Sequence, residues 1–175
     1  KAVNAAGSSI AASSKIDPSV FIASTARVRG RLIAAASSSV WFSNDFDAGD
    51  AAISIGLRTN VQDNTTIRCE AGGVAIGADT TVGHNVTIAD CTIGRHCLIG
   101  IGSHVAPGTI VEDHVLLAAS ARTQPGQVLE SGWLYAGTPA KKLVPLDQGK
   151  RDMIPMIITH YCQYAMDYKV AQEAL

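Results

Sequence analysis

The chain lacks the features that mark several common classes of protein. Its 175 residues carry a formal net charge of −1, so neither nucleic acid nor an anionic membrane surface is predicted as a partner. No apolar run reaches the roughly 18 residues of a membrane-spanning helix, so the sequence predicts no such span. Aromatic residues make up only 5%, so the core must consist mainly of aliphatic and small side chains. The first residue is Lys1 rather than Met, as expected after removal of a targeting segment or at a trimmed end.

The cysteines are few and irregularly placed. The 4 cysteines have neither the spacing of a disulfide framework nor that of a zinc finger, so neither kind of small scaffold is predicted. Cys91 and Cys97 fall inside the repeat described next, where burial as small apolar side chains is the expected role.

A hydrophobic residue returns every six positions along most of the chain. This period fits neither an α-helix, which needs spacings of three and four, nor a strand, which needs strict alternation. It is typical of a parallel β-helix, in which one aliphatic side chain per hexapeptide points inward and successive coils stack at ~4.8 Å. The sequence therefore predicts an all-β fold, a parallel β-helix of about six coils. The repeating positions are Ile16, Ile22, Val28, Ala34, Val40, Ile55, Val61, Ile67, Ile76, Val82, Ile88, Ile93, Ile99, Val105, Val111, Leu117, Thr123 and Leu129.

The sequence divides into three parts. Residues 1–14 are rich in Ala and Ser and are expected to form a flexible tail. Residues 15–140 carry the repeat and form the β-helix domain. Residues 141–175 form a linker and an amphipathic helix over about 150–173, with Pro155 in its first turn. The apolar stripe expected to face the β-helix is Ile154, Ile157, Ile158, Tyr161, Cys162, Ala165 and Tyr168.

The period is broken at two places, and one pair of histidines falls in register. Residues 42–52 and 69–75 depart from the repeat and are expected to leave the β-helix as loops. His96 and His114 lie three hexapeptides apart, so we expect them to stack on the same outer turn as solvated side chains. Two histidines without a third ligand are a weak signal for a metal.

Several short segments carry more information than the hexapeptide itself. They are Val40-Trp41-Phe42, Ile53-Ser54-Ile55-Gly56, Asn60-Val61-Gln62-Asp63-Asn64, Val82-Gly83-His84, Cys91-Thr92-Ile93-Gly94, Leu98-Ile99-Gly100 and Ala136-Gly137-Thr138-Pro139-Ala140-Lys141. Over roughly residues 15–170 the chain resembles the gamma-class carbonic anhydrases. That resemblance implies a left-handed parallel β-helix followed by a C-terminal α-helix, assembled as a trimer with zinc at each subunit interface. Two histidines of one chain and a third from its neighbour hold the metal in that family.

The resemblance places the three ligand positions at Arg68, His84 and Ala89, so only His84 is a histidine. The repeat puts Arg68 and Ala89 one coil apart on one face. Because catalytic zinc needs three protein ligands, a homotrimer of this chain is not expected to bind it. We expect Arg68 to form an ion pair at the subunit interface, with a carboxylate such as Asp63 or Glu70.

Of the other residues typical of the family, some are present in this chain and some are replaced. Gln62 and Asp63 persist, and we expect both to serve the subunit interface together with Arg68 and His84. The Arg-Gly-Asp of the family corresponds to residues 47–49, which read Asp-Ala-Gly, so the arginine is missing. A shift of one residue would let Asp50 serve as the aspartate without restoring that arginine.

The resemblance implies a structural role with no catalytic residue and no cofactor in the chain's own site. The expected assembly is a heterotrimer with homologous subunits, where His84 could be a zinc ligand shared with a neighbour. Such heterotrimers occur on the matrix side of mitochondrial respiratory complex I, where they serve assembly and would contact membrane subunits.

Three alternatives remain open from the sequence. A site completed by a sibling subunit would make the assembly a zinc-dependent gamma carbonic anhydrase. A hexapeptide-repeat acyltransferase would use His84 as a general base at a trimer interface. A stand-alone homotrimer in a bacterial cytoplasm would bind a small molecule or no known ligand.

Overall fold

The computed structural model describes residues 6–175, and residues 1–5 of the expected tail lie outside that range. Within this range the backbone forms nineteen strands and then one helix, α1 (Gln148–Glu173). The strands are β1 (Ser9–Ile10), β2 (Lys15–Ile16), β3 (Phe21–Ile22), β4 (Arg27–Ala34), β5 (Ser39–Val40), β6 (Asp45–Ile55), β7 (Asn60–Val61), β8 (Thr66–Arg68), β9 (Val74–Ile76), β10 (Thr81–Val82), β11 (Thr87–Ala89), β12 (Thr92–Ile93), β13 (Leu98–Ile99), β14 (His104–Val105), β15 (Ile110–Val111), β16 (Leu116–Leu117), β17 (Val128–Leu129), β18 (Trp133–Ala136) and β19 (Lys141–Pro145).

The strands wind into a parallel β-helix of about seven turns, one more than the sequence predicts. An eight-stranded sheet runs β19-β18-β16-β13-β10-β7-β5-β3, and all its strands except β19 are parallel. An eleven-stranded sheet covers the remaining faces. The inward positions that the sequence prediction omits include Phe46, which pairs with Val28 and Ile67 and is fully buried, and Tyr135, which pairs with Leu117 and is 4% exposed. Aromatic residues therefore fill inward positions that the aliphatic pattern does not identify.

The predicted stacking of hexapeptides is confirmed by the strand register. Ile88 pairs with Ile67 on one side and with Val105 on the other, three hexapeptides away in each direction. All three side chains are buried, at 2% exposure or less. Burying one such side chain contributes ~1.5–3 kcal/mol, so the inward column is the main source of stability.

The β-helix begins earlier and ends later than the sequence predicts. Ser9 pairs with Arg29, so β1 already belongs to the eleven-stranded sheet and the expected tail is wrong from residue 9 onward. At the other end, Lys141–Pro145 pairs antiparallel with Trp133–Ala136. This segment is therefore a strand of a hairpin and not the linker that the sequence predicts.

One expected loop is wrong and the other is confirmed. Residues 42–52 do not leave the β-helix, because the 11-residue strand β6 runs from Asp45 and pairs on both sides of a register shift with the 8-residue strand β4. The extra residues are absorbed by a register shift between Arg29 and Arg31. Residues 69–75 do include a short turn before β9 begins at Val74.

The carboxylate of Asp90 holds that turn. It accepts hydrogen bonds from the backbone N–H groups of Glu70, Ala71 and Gly72 at 3.0–3.2 Å. The turn is thereby fixed to the next coil, since Asp90 follows β11.

Helix α1 lies across the eight-stranded sheet and contacts β3, β5, β7 and β10. The Asp147 side chain caps its N-terminus by accepting a hydrogen bond from the Lys150 N–H at 2.8 Å. Pro155 lies about two turns into the helix and not in its first turn, because the helix begins at Gln148. Within residues 6–175, no helix is long and apolar enough to cross a membrane.

Aromatic contacts and three buried aliphatic side chains attach α1 to the sheet. The Trp41 ring lies 5.3 Å from that of Tyr161, 5.4 Å from that of Tyr168 and 5.1 Å from that of Phe21. Such pairs contribute ~0.5–1.5 kcal/mol each beyond the area they bury. The buried helix residues are Ile154, Ile158 and Ala165.

The two cysteines expected in the core are buried as predicted. Burial raises the pKa of the Cys91 thiol to about 12 and that of Cys97 to about 11. Neither thiol is therefore ionised near neutral pH, and both pack as small apolar groups.

Candidate functional site

Arg68 and Ala89 lie side by side on one outer face, as the repeat predicts. β8 pairs with β11 in parallel, and the register matches Arg68 with Ala89. The preceding residues, Ile67 and Ile88, are fully buried, so Arg68 and Ala89 project outward by strand alternation. The two positions that the resemblance assigns to metal ligands are thus adjacent in space.

The Arg68 guanidinium is held by Asp45 of its own chain. Its Nη2 lies 2.8 Å from Asp45 Oδ2, and its Nη1 donates to the backbone carbonyls of Asp45 and Ile67 at 2.9 and 3.1 Å. Within the chain Arg68 therefore pairs with Asp45, and the expected ion pair with Asp63 or Glu70 across a subunit interface stays a prediction. The pair within the chain forms because the extended strand β6 pairs with β8 and brings Asp45 beneath the guanidinium.

Arg68 belongs to a network of four charged side chains, which we call the arginine–aspartate cluster (Arg29, Asp45, Asp47 and Arg68). Arg29 lies 3.4 Å from Asp45 and 3.2 Å from Asp47. A hydrogen bond from the Gly49 N–H, and then the charge of Arg29, lower the pKa of the Asp47 carboxyl. The two positive and two negative charges cancel, so the cluster is neutral at pH 7.

The cluster was not predicted, although its spacing offered a signal. Arg29 and Asp47 are 18 residues apart, which is three hexapeptides, the length of one coil. Asp47 occupies the position at which the family has its arginine, and Arg29 supplies a guanidinium from the preceding coil. A search for opposite charges one coil apart would have found this pair.

The donor atoms on this face do not fit a zinc ion. A guanidinium carries five donors and no lone pair to offer a metal, and Ala89 presents only a methyl group. Among the described residues, no group of three or more His, Cys, Asp and Glu side chains is arranged to hold a metal. A site built at this face by copies of this chain alone would have His84 as its single family ligand.

His84 lies on the turn between β10 and β11 and is partly buried. Its backbone carbonyl accepts a hydrogen bond from the Gly102 N–H of the next coil at 2.9 Å. Within residues 6–175, no hydrogen bond or ion pair involves the imidazole, and none joins it to Arg68. The imidazole nitrogens of His84 are therefore available to a group outside this chain.

Gln62 and Asp63 lie next to each other but in different surroundings. Gln62 is 6% exposed, and its amide donates to Asn60 Oδ1 at 3.1 Å. Its side chain is thus engaged within its own chain. Asp63 is partly exposed and accepts a hydrogen bond from the Phe42 N–H at 3.2 Å. Burial, and then the charge of Asp63, raise the pKa of Tyr161 on α1, so Asp63 lies near the helix.

The predicted stack of His96 and His114 is confirmed. Their ring centroids are 4.8 Å apart and the ring planes differ by 11°. Burial, and then the charges of His96 and Arg151, lower the pKa of His114. The pair lies on the turns before β13 and β16, away from the strands that carry Arg68 and Ala89.

Comparisons with known proteins agree with this architecture. A family model described as bacterial transferase hexapeptide (six repeats) matches residues 90–123. The chain is 27% identical to gamma carbonic anhydrase 2, mitochondrial, of Arabidopsis thaliana over 88% of its own length and 61% of that relative. It therefore spans only about six-tenths of that protein.

Bacterial proteins match at slightly higher identity. Protein YrdA of Escherichia coli is 31% identical over 66% of this chain and 67% of its own length. The crystal structure of a putative acetyltransferase from Bacillus cereus superposes with a TM-score of 0.88 at 30% identity, covering 90% of this chain and 92% of that one. The chain therefore belongs to the hexapeptide-repeat family, and its similarity extends to relatives named gamma carbonic anhydrases.

Proposed function

We propose that this chain is a catalytically degenerate, gamma carbonic anhydrase-like structural subunit of a trimer. The observation that carries the proposal is the Arg68 guanidinium, which binds Asp45 where the family has a metal-binding histidine. Two unit charges ~4 Å apart at an effective dielectric of ~20 interact by ~4 kcal/mol, and a dication doubles that figure. Asp45 lies 2.8 Å from the guanidinium and both side chains are partly exposed, so the net repulsion of a zinc ion is much smaller than that, and the missing ligands at Arg68 and Ala89 are the stronger argument against zinc.

The arginine–aspartate cluster holds neighbouring coils together on the face where the family binds its metal. Its members lie on β4, β6 and β8, three neighbouring strands of consecutive coils. Charged hydrogen bonds from Arg29 to Asp47 and from Arg68 to Asp45, together with the 3.4 Å ion pair between Arg29 and Asp45, therefore cross-link these coils without an ion. The face remains ordered, although it has lost the donors that a metal requires.

We further propose that the trimer contains homologous sibling subunits. The His84 imidazole has no partner within the described part of its own chain, so a sibling that keeps both histidines at the other two positions could take it as a third ligand. Zinc would then be present only at that interface, and any carbonic anhydrase activity would belong to the shared site. Partly exposed Asp63 and the outer face of α1 would contribute to the subunit contacts.

The most specific setting for such a subunit is the matrix-side module of mitochondrial respiratory complex I, where it would serve assembly. The similarity to a mitochondrial gamma carbonic anhydrase of Arabidopsis thaliana supports this setting. A stand-alone bacterial trimer is the rival, and it is supported by the higher coverage of the Bacillus cereus structure, 92% of that chain. Whether siblings copurify with the chain separates the two.

Acyl transfer is the second candidate function. It is favoured by one observation, the 30% identity to a Bacillus cereus protein described as a putative acetyltransferase. His84 would then act as the general base at a subunit interface. Isothermal titration with acetyl-CoA tests this candidate, because a structural subunit should bind none.

The decisive test of the proposed function restores the missing donors. Wild-type protein, the double variant Arg68→His with Ala89→His, and the same double variant carrying His84→Ala are each titrated with zinc. We expect no stoichiometric zinc in the wild type, about one ion per chain in the double variant, and loss of that ion when His84 is removed. One tightly bound zinc per chain in the wild type would overturn the proposal.

A further inference from the structure

Two of the four cysteines lie on neighbouring coils, at one corner of the β-helix. β8 and β11 pair as far as Arg68 and Ala89, and the Asp90 N–H then donates to the Arg68 carbonyl at 3.3 Å. Cys69 therefore lies opposite Asp90, and Cys91 is the next residue of that coil. A strand separation of ~4.8 Å and a step of ~3.8 Å along the chain, taken at right angles, put the Cα atoms of Cys69 and Cys91 ~6 Å apart. Disulfides form at Cα separations of about 4.4–6.8 Å.

The strands on the other side of the corner agree with this placement. In the register of β9 with β12, the Ala75 N–H donates to the Cys91 carbonyl at 3.1 Å, which places Val74 opposite Cys91. Burial is the main influence on the pKa of Cys69 and raises it, while a hydrogen bond from the Val74 N–H acts in the opposite direction. Cys69 and Val74 thus form the base of the turn at residues 70–73, and Cys91 lies on the next coil beside both.

Both thiols point into the core of the β-helix. Cys69 follows Ile67 by two residues, Cys91 precedes Ile93 by two, and both isoleucines are 1% exposed or less. Because side chains alternate along a strand, both cysteines face the interior, and they are 9% and 5% exposed. Burial is the main cause that raises the pKa of Cys91, and the neighbouring Cys69 is the next, as expected for two sulfur atoms that lie close together.

The turn at residues 70–73 follows Cys69 directly and is closed by Asp90. The Asp90 carboxylate accepts hydrogen bonds from the N–H groups of three consecutive residues of the turn. Burial, and then the charge of Asp90, raise the pKa of Cys69, so little thiolate is present while the turn is closed. Reaction at Cys69 is therefore expected when the turn opens, a local motion that leaves the rest of the β-helix folded.

We propose that Cys69 and Cys91 are a reversible redox pair, which glutathione disulfide or another small disulfide converts to a protein disulfide between the two coils. The Cys69 thiolate attacks one sulfur of glutathione disulfide, releases one glutathione thiolate and becomes a mixed disulfide. The Cys91 sulfur then attacks the Cys69 sulfur and releases the second glutathione. Two protein thiols are oxidised, one small disulfide is reduced, and the two thiol protons pass to the released glutathione thiolates.

The protein disulfide lies directly behind the candidate site. Cys69 follows Arg68, and Cys91 lies two residues after Ala89. In the reduced chain, the hydrogen bonds of Asp90 connect the turn to the next coil. In the oxidised chain, a covalent bond makes that connection, so the face that carries Arg68 and Ala89 is held more rigidly.

Two variants of the full chain test the proposal. The test protein carries Cys97→Ala and Cys162→Ser, so Cys69 and Cys91 are its only thiols. The matched control carries Cys69→Ala and Cys162→Ser and keeps Cys91 and Cys97, which are close in sequence but lie beside strands of different sheets, β12 and β13. Each protein is brought to equilibrium in mixtures of reduced and oxidised glutathione, both folded and in urea.

The measurement is designed so that slow access to buried thiols cannot imitate a negative result. Equilibrium is approached from the reduced folded protein and from protein refolded out of urea in the same glutathione mixture. Intact mass counts the hydrogen atoms lost and the glutathione molecules gained. Cleavage before Asp79 separates Cys69 from Cys91, so fragments that stay joined identify the disulfide.

We expect the folded test protein to lose two hydrogen atoms, to gain no glutathione and to recover its mass in dithiothreitol. Its ratio of disulfide to dithiol should exceed the ratio in urea by at least about tenfold, because the fold holds the two sulfur atoms together. In the control the fold should lower this ratio relative to urea. Glutathione adducts without the disulfide in the folded test protein, or a ratio no higher than in urea, would overturn the proposal.

Discussion

Replacement of Arg68 by Met tests the arginine–aspartate cluster directly, because it keeps an unbranched apolar stem and removes the guanidinium. The variant loses the 2.8 Å ion pair with Asp45 and two hydrogen bonds to backbone carbonyls. A charged hydrogen bond contributes ~1.5–3 kcal/mol when buried. The side chains of Arg68 and Asp45 are 38% and 30% exposed, so solvent screening lowers the expected total loss to ~1–2 kcal/mol.

For a protein of this size, each kcal/mol corresponds to ~2–4 °C in the midpoint of thermal unfolding. The measurement compares the unfolding of the wild type, Arg68→Met and Arg95→Met, since Arg95 is exposed and belongs to no ion pair among residues 6–175. The deficit of Arg68→Met should shrink at ~1 M NaCl, where charges are screened within ~3 Å. Equal stability of the two variants would refute the idea that the cluster cross-links the coils.

Three further predictions concern other parts of the molecule. The pKa of Asp47 is lowered from its ordinary value of 3.8, so the ionised carboxylate stabilises the fold at pH values above 3.8. Asp47→Asn should therefore be less stable than the wild type at pH 7. In acid unfolding curves this difference in stability should disappear as the pH falls below ~4. Trp41→Ala should cost ~3–5 kcal/mol in denaturant unfolding and should accelerate hydrogen exchange across α1, because Trp41 is 5% exposed beneath the helix. An NMR titration should give His114 a pKa below 6.5, and His96→Asn should raise it only part of the way, since burial is the larger cause.

The hexapeptide period predicts the strand register because the inward aliphatic side chains continue through the middle coils, although the steps from Ile67 to Ile76 and from Ile88 to Ile93 are nine and five residues instead of six. Ile67, Ile88 and Val105 stack as expected, and so do His96 and His114 on the outer turn. The period alone carried this information, since a shift of one residue would expose the whole inward column.

The ends and the long strands could not be predicted in the same way. The aliphatic pattern omits Phe46 and Tyr135, because an aromatic residue replaces the aliphatic one at each of these inward positions. Strand β1 was interpreted as tail, since Ser9 and its neighbours resemble a disordered composition. Amino-acid composition shows neither which strand a segment pairs with nor how deeply it is buried. Pairing decides whether β1 is a strand, and burial decides that Tyr135 points inward.

In the candidate site, too, some positions could be predicted from the sequence and the contacts between them could not. The repeat predicts that Arg68 and Ala89 lie one coil apart on one face, which the strand register confirms, but it gives no partner for the guanidinium. Asp45 becomes that partner only because β6 continues through an expected loop, which depends on pairing with β4. The hydrogen bond from the Ser24 N–H to the Gln172 side chain on α1 spans 148 residues of sequence, so no local pattern could predict it.

The central claim is that this chain is a structural subunit without a zinc site of its own. Native mass spectrometry with metal analysis, applied to the endogenous assembly that contains the chain, tests it most directly. We predict a heterotrimer with homologous siblings, held within a larger membrane complex and carrying fewer than one zinc ion per chain. A soluble homotrimer with one zinc ion per chain would contradict both the assignment of Arg68 and Ala89 to the ligand positions and the structural role built on it.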